Sequence, residues 1–505
     1  MNPDPGNFLY RFLPPADPIS CAYNQSDHAP HSAQPLASIE LVTLVHVGAA
    51  AIFAAWAFGG NAAWSRTLLA WWGSLSVFIA IAAIDSRKTR QPGALHIMLH
   101  PLRWLWPLAL FNVVVVVSAC NPSFRELASN TGPMLVRCTE IAWLPSSARP
   151  GLALRALWLF DGTYLTCFNL AFVIHQRRAL RGLLLVLGAS ALALSIFGTF
   201  QMLAKADGLY FGLVKSPNPV FFASFIYHNH WGAFILLMIA ACLGLVWHFS
   251  RRSGREYRNF WHSPAFVGLV LVFFLVATIP LSSSRSSSLL AIMLLGGTFL
   301  HWIVRLIRKR RVYHESSVLP IAGACLVLAI AGAAIFWLAR PAIEKRLSQT
   351  QSQITQMRTQ GSIGGRAILY RDTWRMARDQ LWFGWGMSSY PTVFFSYNTQ
   401  ESSNPQLPLY YADAHSDWLQ SVAEVGLVGT VLLGLHGVIP LLALRRRHLG
   451  SPLPGYLFGG CGLVLLYALI EFPFGSPAVV FTWWLCFFVA VRYVDLESGS
   501  SPSAR

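Results

Sequence analysis

Charged residues are scarce in this chain. Aspartate, glutamate, lysine and arginine together make up 12% of its 505 residues, whereas hydrophobic residues make up 54% and the mean hydropathy is +0.48. In soluble domains roughly a quarter of the residues are charged, so this composition excludes a soluble globular protein. The chain is predicted to be a membrane protein.

Residue patterns that hold metal ions are also missing. The eight cysteines include no Cys-x-x-Cys spacing, and the polar segments contain no Asp-x-Asp pair of the kind that a divalent cation would need. We therefore predict no metal site and no cofactor. Cys120 and Cys138 lie at the two ends of one polar interval, and from the sequence alone a disulfide between them stays open.

Long apolar stretches recur along the whole sequence. A hydrocarbon core about 30 Å thick needs roughly 20 apolar residues per helix. About twelve such stretches predict an all-α polytopic membrane protein. Two of them contain Asp161 and Glu424, which we expect to be paired internally and not catalytic. The predicted spans are 40–60, 67–84, 103–119, 156–175, 183–203, 231–249, 264–281, 287–304, 318–338, 418–443, 455–471 and 476–493.

The positions of the basic residues predict the orientation. The formal net charge of +17 would suit a nucleic-acid-binding protein, but half of the 38 basic residues fall in every second connection between spans. That alternation follows the positive-inside rule. It predicts a multi-pass membrane protein with both termini in the cytoplasm, and no nucleic-acid partner.

The same pattern divides the chain into segments. The polar N-terminal stretch has no basic region followed by an apolar run, so we do not expect a cleavable signal peptide. The predicted segments are a cytoplasmic extension at 1–38, nine transmembrane helices in 39–339, a large periplasmic loop at 340–417, three transmembrane helices in 418–494 and a cytoplasmic tail at 495–505.

The large loop is too long to be a simple connection and is predicted to hold structure of its own. Arg366 to Gln380 lacks glycine and proline and places Leu369, Thr373 and Met376 on one helical face. A glycine-rich aromatic turn follows at 383–391. We expect a surface helix at the outer face of the bilayer. Its arginines suit two roles, contact with lipid phosphates or a site for a diphosphate.

Two other residues lie where chemistry is plausible. Arg285 stands in a turn of serines between two apolar spans, and an ionisable residue at a span end is a functional candidate by default. His415 lies where the large loop re-enters the membrane, and an imidazole there can accept a proton near neutral pH. A snorkelling arginine and a helix-capping histidine are the alternative interpretations.

Four motifs, taken in order, resemble the O-antigen ligase and polymerase superfamily over about residues 215–440. They are Tyr227-His-Asn-His-Trp231, the Ser-Ser-Arg turn at Arg285, Gly-Gly-Arg366 with the Phe383-Gly-Trp-Gly386 turn, and Ala414-His-Ser-Asp-Trp-Leu419 with Glu424 and Gly426. The resemblance implies a GT-C-like architecture and metal-independent, inverting transfer of a glycan. The donor would be a glycan carried on undecaprenyl diphosphate in the bacterial inner membrane, and the acceptor a hydroxyl of a lipid or glycan such as lipid A-core.

The resemblance also implies roles for individual residues. Arg285 and Arg366 match residues that grip the diphosphate, and His415 matches the general base. Lys215 and Arg371 are weaker candidates for the anion site, and Asn229 and His230 for orienting the acceptor. Membrane lipids complete the expected partners.

Alternatives remain at this point. A ligase and a polymerase share the donor and differ only in the acceptor, and the motifs favour a ligase. A transporter or flippase would show internal repeats and broken helices near the midplane, which the sequence does not show.

Overall fold

The structure is a computed structural model that describes residues 35–90, 99–129, 132–256, 262–360, 365–400, 410–444 and 450–498. The predicted N-terminal extension up to residue 34, the tail from 499 and the basic segment 445–449 therefore lie outside the described residues. The described residues from Ile39 onward belong to one compact unit. Within the described residues almost all regular structure is helical, which confirms the all-α prediction.

Fourteen α-helices occur in the described residues. They are α1 Ser38–Trp56, α2 Ala63–Arg90, α3 Trp106–Cys120, α4 Pro150–Val173, α5 Arg177–Leu203, α6 His228–Glu256, α7 Pro264–Leu281, α8 Arg285–Val312, α9 Val318–Gln360, α10 Gly365–Asp379, α11 Tyr390–Val393, α12 Asp417–Leu444, α13 Pro452–Tyr467 and α14 Pro477–Ser498. Short 3₁₀ turns lie at Phe58–Gly60, His100–Leu105, Phe394–Ser396 and Pro473–Gly475.

Eleven helices of the described part are long and apolar enough to cross a membrane. The remaining predicted span, 455–471, is α13, which is apolar but only 16 residues long. Ser451 caps its start by accepting a hydrogen bond from the Leu453 N–H, next to Pro452 in the first turn. After Tyr467 the chain leaves the helix and turns into α14 through Pro473–Gly475, so the carboxyl end of the predicted span is a turn.

Two features lie outside the sequence predictions. The polar interval between α3 and α4 forms an antiparallel hairpin, β1 (Phe124–Ser129) paired with β2 (Gly132–Arg137). Cys120 and Cys138, at its two ends, are free thiols, and the Cys138 thiol donates to the Pro122 carbonyl oxygen at 3.0 Å. The second feature is the length of α9, which continues its span through the polar residues up to Gln360.

Burial differs sharply between the helices. The apolar window of α6 is 83% buried within the protein, whereas none of the corresponding window of α9 is buried. Because α6 packs against α5, α7, α8, α13 and α14, its first turn at His228 is anchored at the centre of the bundle. The Tyr227–Trp231 motif therefore begins the most buried span.

The predicted helix of the large loop is α10, and its helical state is confirmed. Leu369, Thr373 and Met376 are fully buried on one face, as the periodicity predicted. This face packs on α12, the helix that follows the loop. The loop is thus tied directly to a membrane-spanning helix.

The glycine-rich turn fits into a break in α12. Gly426 interrupts α12 with φ 66° and ψ −174°, and Gly384 of the turn has φ 69°, values that suit glycine. The Trp385 N–H donates to the Ala423 carbonyl oxygen at 3.0 Å, which satisfies an acceptor freed by the break. A Cβ atom on Gly384 would collide with the backbone of Glu424. The two glycines permit this close approach of loop and helix.

Candidate functional site

The imidazole of His415 stands two residues before α12, at the end of the bundle where α6, α8, α12 and α14 begin. Its backbone has φ 53°, and the Tyr370 hydroxyl donates to its carbonyl oxygen at 2.8 Å. Nδ1 lies 3.4 Å from Glu471 Oε2, and the ring packs edge-on against Phe472 at 4.8 Å. The side chain is 28% exposed, so the imidazole is held on one side and accessible on the other.

Glu471 is the residue that connects the other members of this site, and it was not predicted from the sequence. It lies between α13 and α14 with a side chain only 3% exposed. Its Oε1 accepts from Arg366 Nη2 at 2.5 Å, and its Oε2 lies 3.4 Å from both His415 Nδ1 and the Tyr227 hydroxyl. Burial opposes ionisation of Glu471, but the hydrogen bond with His415 and the charge of Arg366 outweigh it and lower the pKa of the carboxyl group.

An ionised Glu471 has a consequence for the protons of His415. A carboxylate can only accept hydrogen bonds, so Nδ1 of His415 carries the hydrogen. The neutral imidazole then has its lone pair on Nε2, and no described residue donates to that atom. His415 is therefore in the tautomer that a general base requires.

Arg366 is both anchored and accessible. It lies at the start of α10, where Nη1 also donates to the Ile470 carbonyl oxygen at 3.2 Å. Burial opposes the charge of Arg366, but Glu471 outweighs this and raises the pKa of the guanidinium. The side chain is still 51% exposed, so part of its donor fork remains available to an anion.

The serine turn holds its own backbone in place and leaves Arg285 exposed. The Ser284 hydroxyl donates to Asn229 Oδ1 at 2.7 Å, and the Ser287 hydroxyl donates to that of Tyr467 at 3.1 Å. Arg285 is the first residue of α8 and makes no hydrogen bond or ion pair with any residue that the structure describes. The serines thus bind α6 and α13 and form no polar lining around the arginine.

Asn229 and His230 are buried and occupied. Asn229 Nδ2 donates to the Tyr227 hydroxyl at 2.8 Å while its Oδ1 accepts from Ser284. Nε2 of His230 lies 3.1 Å from the Phe472 carbonyl oxygen and must carry the hydrogen, because a carbonyl only accepts. Both residues therefore connect α6 to neighbouring segments, and Asn229 joins the Arg285 turn to Tyr227 and Glu471.

Lys215 and Arg371 are not joined to this cluster by any hydrogen bond or ion pair within the described ranges. Lys215 is exposed in the segment between α5 and α6. Arg371 donates through Nε to Asp372 and through Nη2 to Thr399. The Asp372 side chain is fully buried, and the Thr399 hydroxyl and the charge of Arg371 help to lower the pKa of its carboxyl group against the effect of burial. Arg371 thus holds the loop near Thr399 on α10.

The two carboxylates within the spans are paired internally, as predicted. Glu424 accepts from the backbone N–H groups of Ser388 and Tyr390 at 2.8 and 3.1 Å. Asp161 accepts from Asn112 Nδ2 at 3.0 Å. Glu424 thereby fixes the glycine-rich turn against α12.

Part of the chain is similar to a known family. Residues 270–434 match the family model described as O-antigen ligase. This segment is similar to the O-antigen ligase family. The match supports the superfamily that the four motifs indicated, so that prediction is confirmed; members of the superfamily are membrane glycosyltransferase-like ligases and polymerases. No curated protein matches the chain.

The matched segment contains Arg285, Arg366 and His415 but not the whole site. Tyr227 precedes the matched segment and Glu471 follows it. One indication of Glu471 was present in the sequence, since it is the single acidic residue between two apolar stretches. Its pairing with Arg366 and His415 could not be predicted, because the three residues meet only through the packing of α10, α12 and α13.

Proposed function

We propose that this protein is an O-antigen ligase-like glycosyltransferase that moves a glycan from undecaprenyl diphosphate to an acceptor hydroxyl, on lipid A-core or a similar molecule. The transfer takes place at the periplasmic face, with inversion and without a metal ion. One observation carries the proposal: the buried carboxylate of Glu471 holds Arg366 and His415 side by side. A cation for the leaving group and a base for the nucleophile are thus fixed to one group.

The reaction follows from these positions. Nε2 of His415 takes the proton of the acceptor hydroxyl. The oxygen of that hydroxyl forms a bond to the anomeric carbon of the donor glycan at the same time. The bond from that carbon to the diphosphate oxygen breaks, and undecaprenyl diphosphate leaves with the electron pair. Negative charge grows on the diphosphate, and Arg366 and Arg285 stabilise it as fixed cations. Glu471 stabilises the imidazolium that forms.

A reconstituted transfer assay tests the function. Purified protein is incubated with a donor glycan on undecaprenyl diphosphate, with and without lipid A-core, and the glycolipid product and released undecaprenyl diphosphate are measured. A ligase gives product only with the acceptor. Longer glycans formed from donor alone indicate a polymerase, and movement of donor across a vesicle without transfer indicates a flippase. Either of these outcomes contradicts the proposal.

Both phosphate-binding arginines are expected to be needed for transfer. Arg285→Ala and Arg366→Ala should each lower kcat/KM by about 10- to 100-fold, the range for loss of a hydrogen bond between charged groups. Lysine at either position should recover only part, because it loses the planar donor fork. Activity should persist in EDTA.

The matched control is Arg378→Ala, since Arg378 is another exposed arginine of α10 that forms no hydrogen bond or ion pair with described residues. It should retain full transfer. Wild-type rates in both Arg285→Ala and Arg366→Ala, at equal protein levels, would show that these arginines do not bind the diphosphate during transfer.

The proposed location is the inner membrane with the site on the periplasmic side. Reporter fusions after Arg181, Arg258, Arg311 and Arg447 should report cytoplasm, because these residues belong to the alternating basic connections. Fusions within 350–410 should report periplasm. A cytoplasmic report from that segment would place the site on the wrong side for a periplasmic transferase.

A further inference from the structure

An arginine outside the matched domain lies at the same end of the bundle as His415. Arg66 is in the first turn of α2, and its side chain is exposed. Its Nη2 donates to Asn61 Oδ1 at 3.0 Å. This is its only side-chain hydrogen bond to the described residues, and none of them forms an ion pair with it. Arg66 therefore has a full charge and most of its donors unused.

A short series of contacts connects Arg66 to the imidazole of His415. Asn61 Nδ2 lies 3.4 Å from His230 Nδ1, and His230 Nε2 lies 3.1 Å from the Phe472 carbonyl oxygen. The rings of Phe472 and His415 are 4.8 Å apart. Arg66 is thus held on the side of Phe472 where His230 lies, close to the residues that hold the base.

Asp413 supplies a second, independent link. A Cβ atom on Gly475 would lie 3.8 Å from Asp413 Oδ1 and 3.5 Å from His230 Nε2, so these two side chains converge on one point. Burial raises the pKa of Asp413, and electrostatic interactions with His415 and Arg66 partly offset that rise. The guanidinium of Arg66 therefore acts electrostatically on a residue two positions before His415.

We propose that Arg66 is a third phosphate-binding residue of this site and binds the diphosphate of the lipid-linked donor. The inference rests on the proposed function, since it deepens the donor site described above. A diphosphate offers oxygens on two phosphorus atoms, more than Arg366 can contact while part of its fork is bound to Glu471 and Ile470. An exposed arginine that forms no ion pair with any described residue meets that need.

Binding of undecaprenyl diphosphate to the full-length protein tests this role. The protein is placed in phosphatidylcholine nanodiscs, which contain no anionic lipid, and affinity is measured for wild type, Arg66→Ala, Arg66→Lys and Arg378→Ala. Arg66→Ala should bind about 10-fold or more weakly, Arg66→Lys should recover part, and Arg378→Ala should bind normally. In the transfer assay, Arg66→Ala should raise KM for the donor and leave KM for the acceptor unchanged.

A structural role for Arg66 predicts other results. If Arg66 only held His230 in position through Asn61, Asn61→Ala would weaken donor binding as much as Arg66→Ala does. That result would overturn the proposal. Unchanged donor binding in Arg66→Ala, or a rise confined to the acceptor KM, would also overturn it. Arg66 would then contact lipid headgroups or the acceptor. Absence of donor binding by the wild-type protein would instead contradict the proposed function itself.

Discussion

His415→Gln is expected to lose about 10²–10⁴-fold in turnover while still binding the lipid-linked donor. Glutamine keeps a hydrogen-bonding side chain but has no basicity, so it separates proton transfer from positioning. The structure leaves Nε2 of His415 without a described donor and places Nδ1 at Glu471. The loss should therefore appear in kcat, whereas donor affinity depends on the arginines.

The measurement is a transfer assay with purified protein beside a donor-binding measurement on the same preparation. His262→Gln is a matched control, because His262 is exposed just before α7 and belongs to no part of the site. It should turn over at the wild-type rate. A near wild-type rate in His415→Gln would return His415 to an orienting or capping role.

The second large effect is expected for Glu471→Gln, which should lower transfer by about 10²- to 10³-fold. The carboxylate orients the imidazole, as the acid of a Ser-His-Asp triad does, and it also anchors Arg366. An amide of the same shape keeps the packing but removes the charge that both partners require. Glu471→Asp should recover little, because the shorter side chain cannot reach Arg366 and His415 together.

The effect of Glu471→Gln on the stability of the folded protein should depend on pH. A substitution that affects only catalysis would show no such dependence. The pKa of Glu471 lies below its ordinary value of 4.5 in the folded protein. The stabilising effect of the carboxylate is therefore fully present above about pH 5 and is lost as the pH falls through the lowered pKa. In thermal unfolding, the unfolding temperature of the wild type should exceed that of the variant by a constant difference between pH 8 and 5. This difference should shrink below pH 4.5.

Glu497→Gln provides the control for that comparison. Glu497 lies 3.7 Å from Arg177 and accepts from the Ser451 N–H at the opposite end of α14. It should alter stability without altering transfer. Transfer by Glu471→Gln at the wild-type rate would show that Arg366 and His415 work without their shared carboxylate.

The spans were predictable because a bilayer imposes one length and one composition on each crossing helix. The start of α7 at Pro264 was found in this way, whereas the helix of the large loop was found from its periodicity. The continuation of α9 to Gln360 was not, because its polar residues suit helix and coil equally. The hairpin of β1 and β2 was also missed, since twelve residues within a polar interval give little alternation to detect.

The site was predictable only in part for a different reason. His415, Arg285 and Arg366 belong to motifs that are local in sequence, so each was recognised alone. Glu471 and Arg66 come from the segments after α13 and at the start of α2, and only tertiary packing brings them to the motif residues. Asn229 and His230 were recognised as candidate site residues. Their hydrogen bonds to Ser284 and Phe472 could not be predicted, because these partners are distant in the sequence.

The fit of the glycine-rich turn into the break of α12 constrains how the large loop of this protein can change. Gly384 and Gly426 face each other, and Glu424 bonds to the backbone of the turn. A different loop grafted from a relative would lose these contacts unless the first three turns of α12 were transferred with it. The large loop and the start of α12 thus form one structural unit, and a chimaera that exchanges both together should fold more readily than one that exchanges the loop alone.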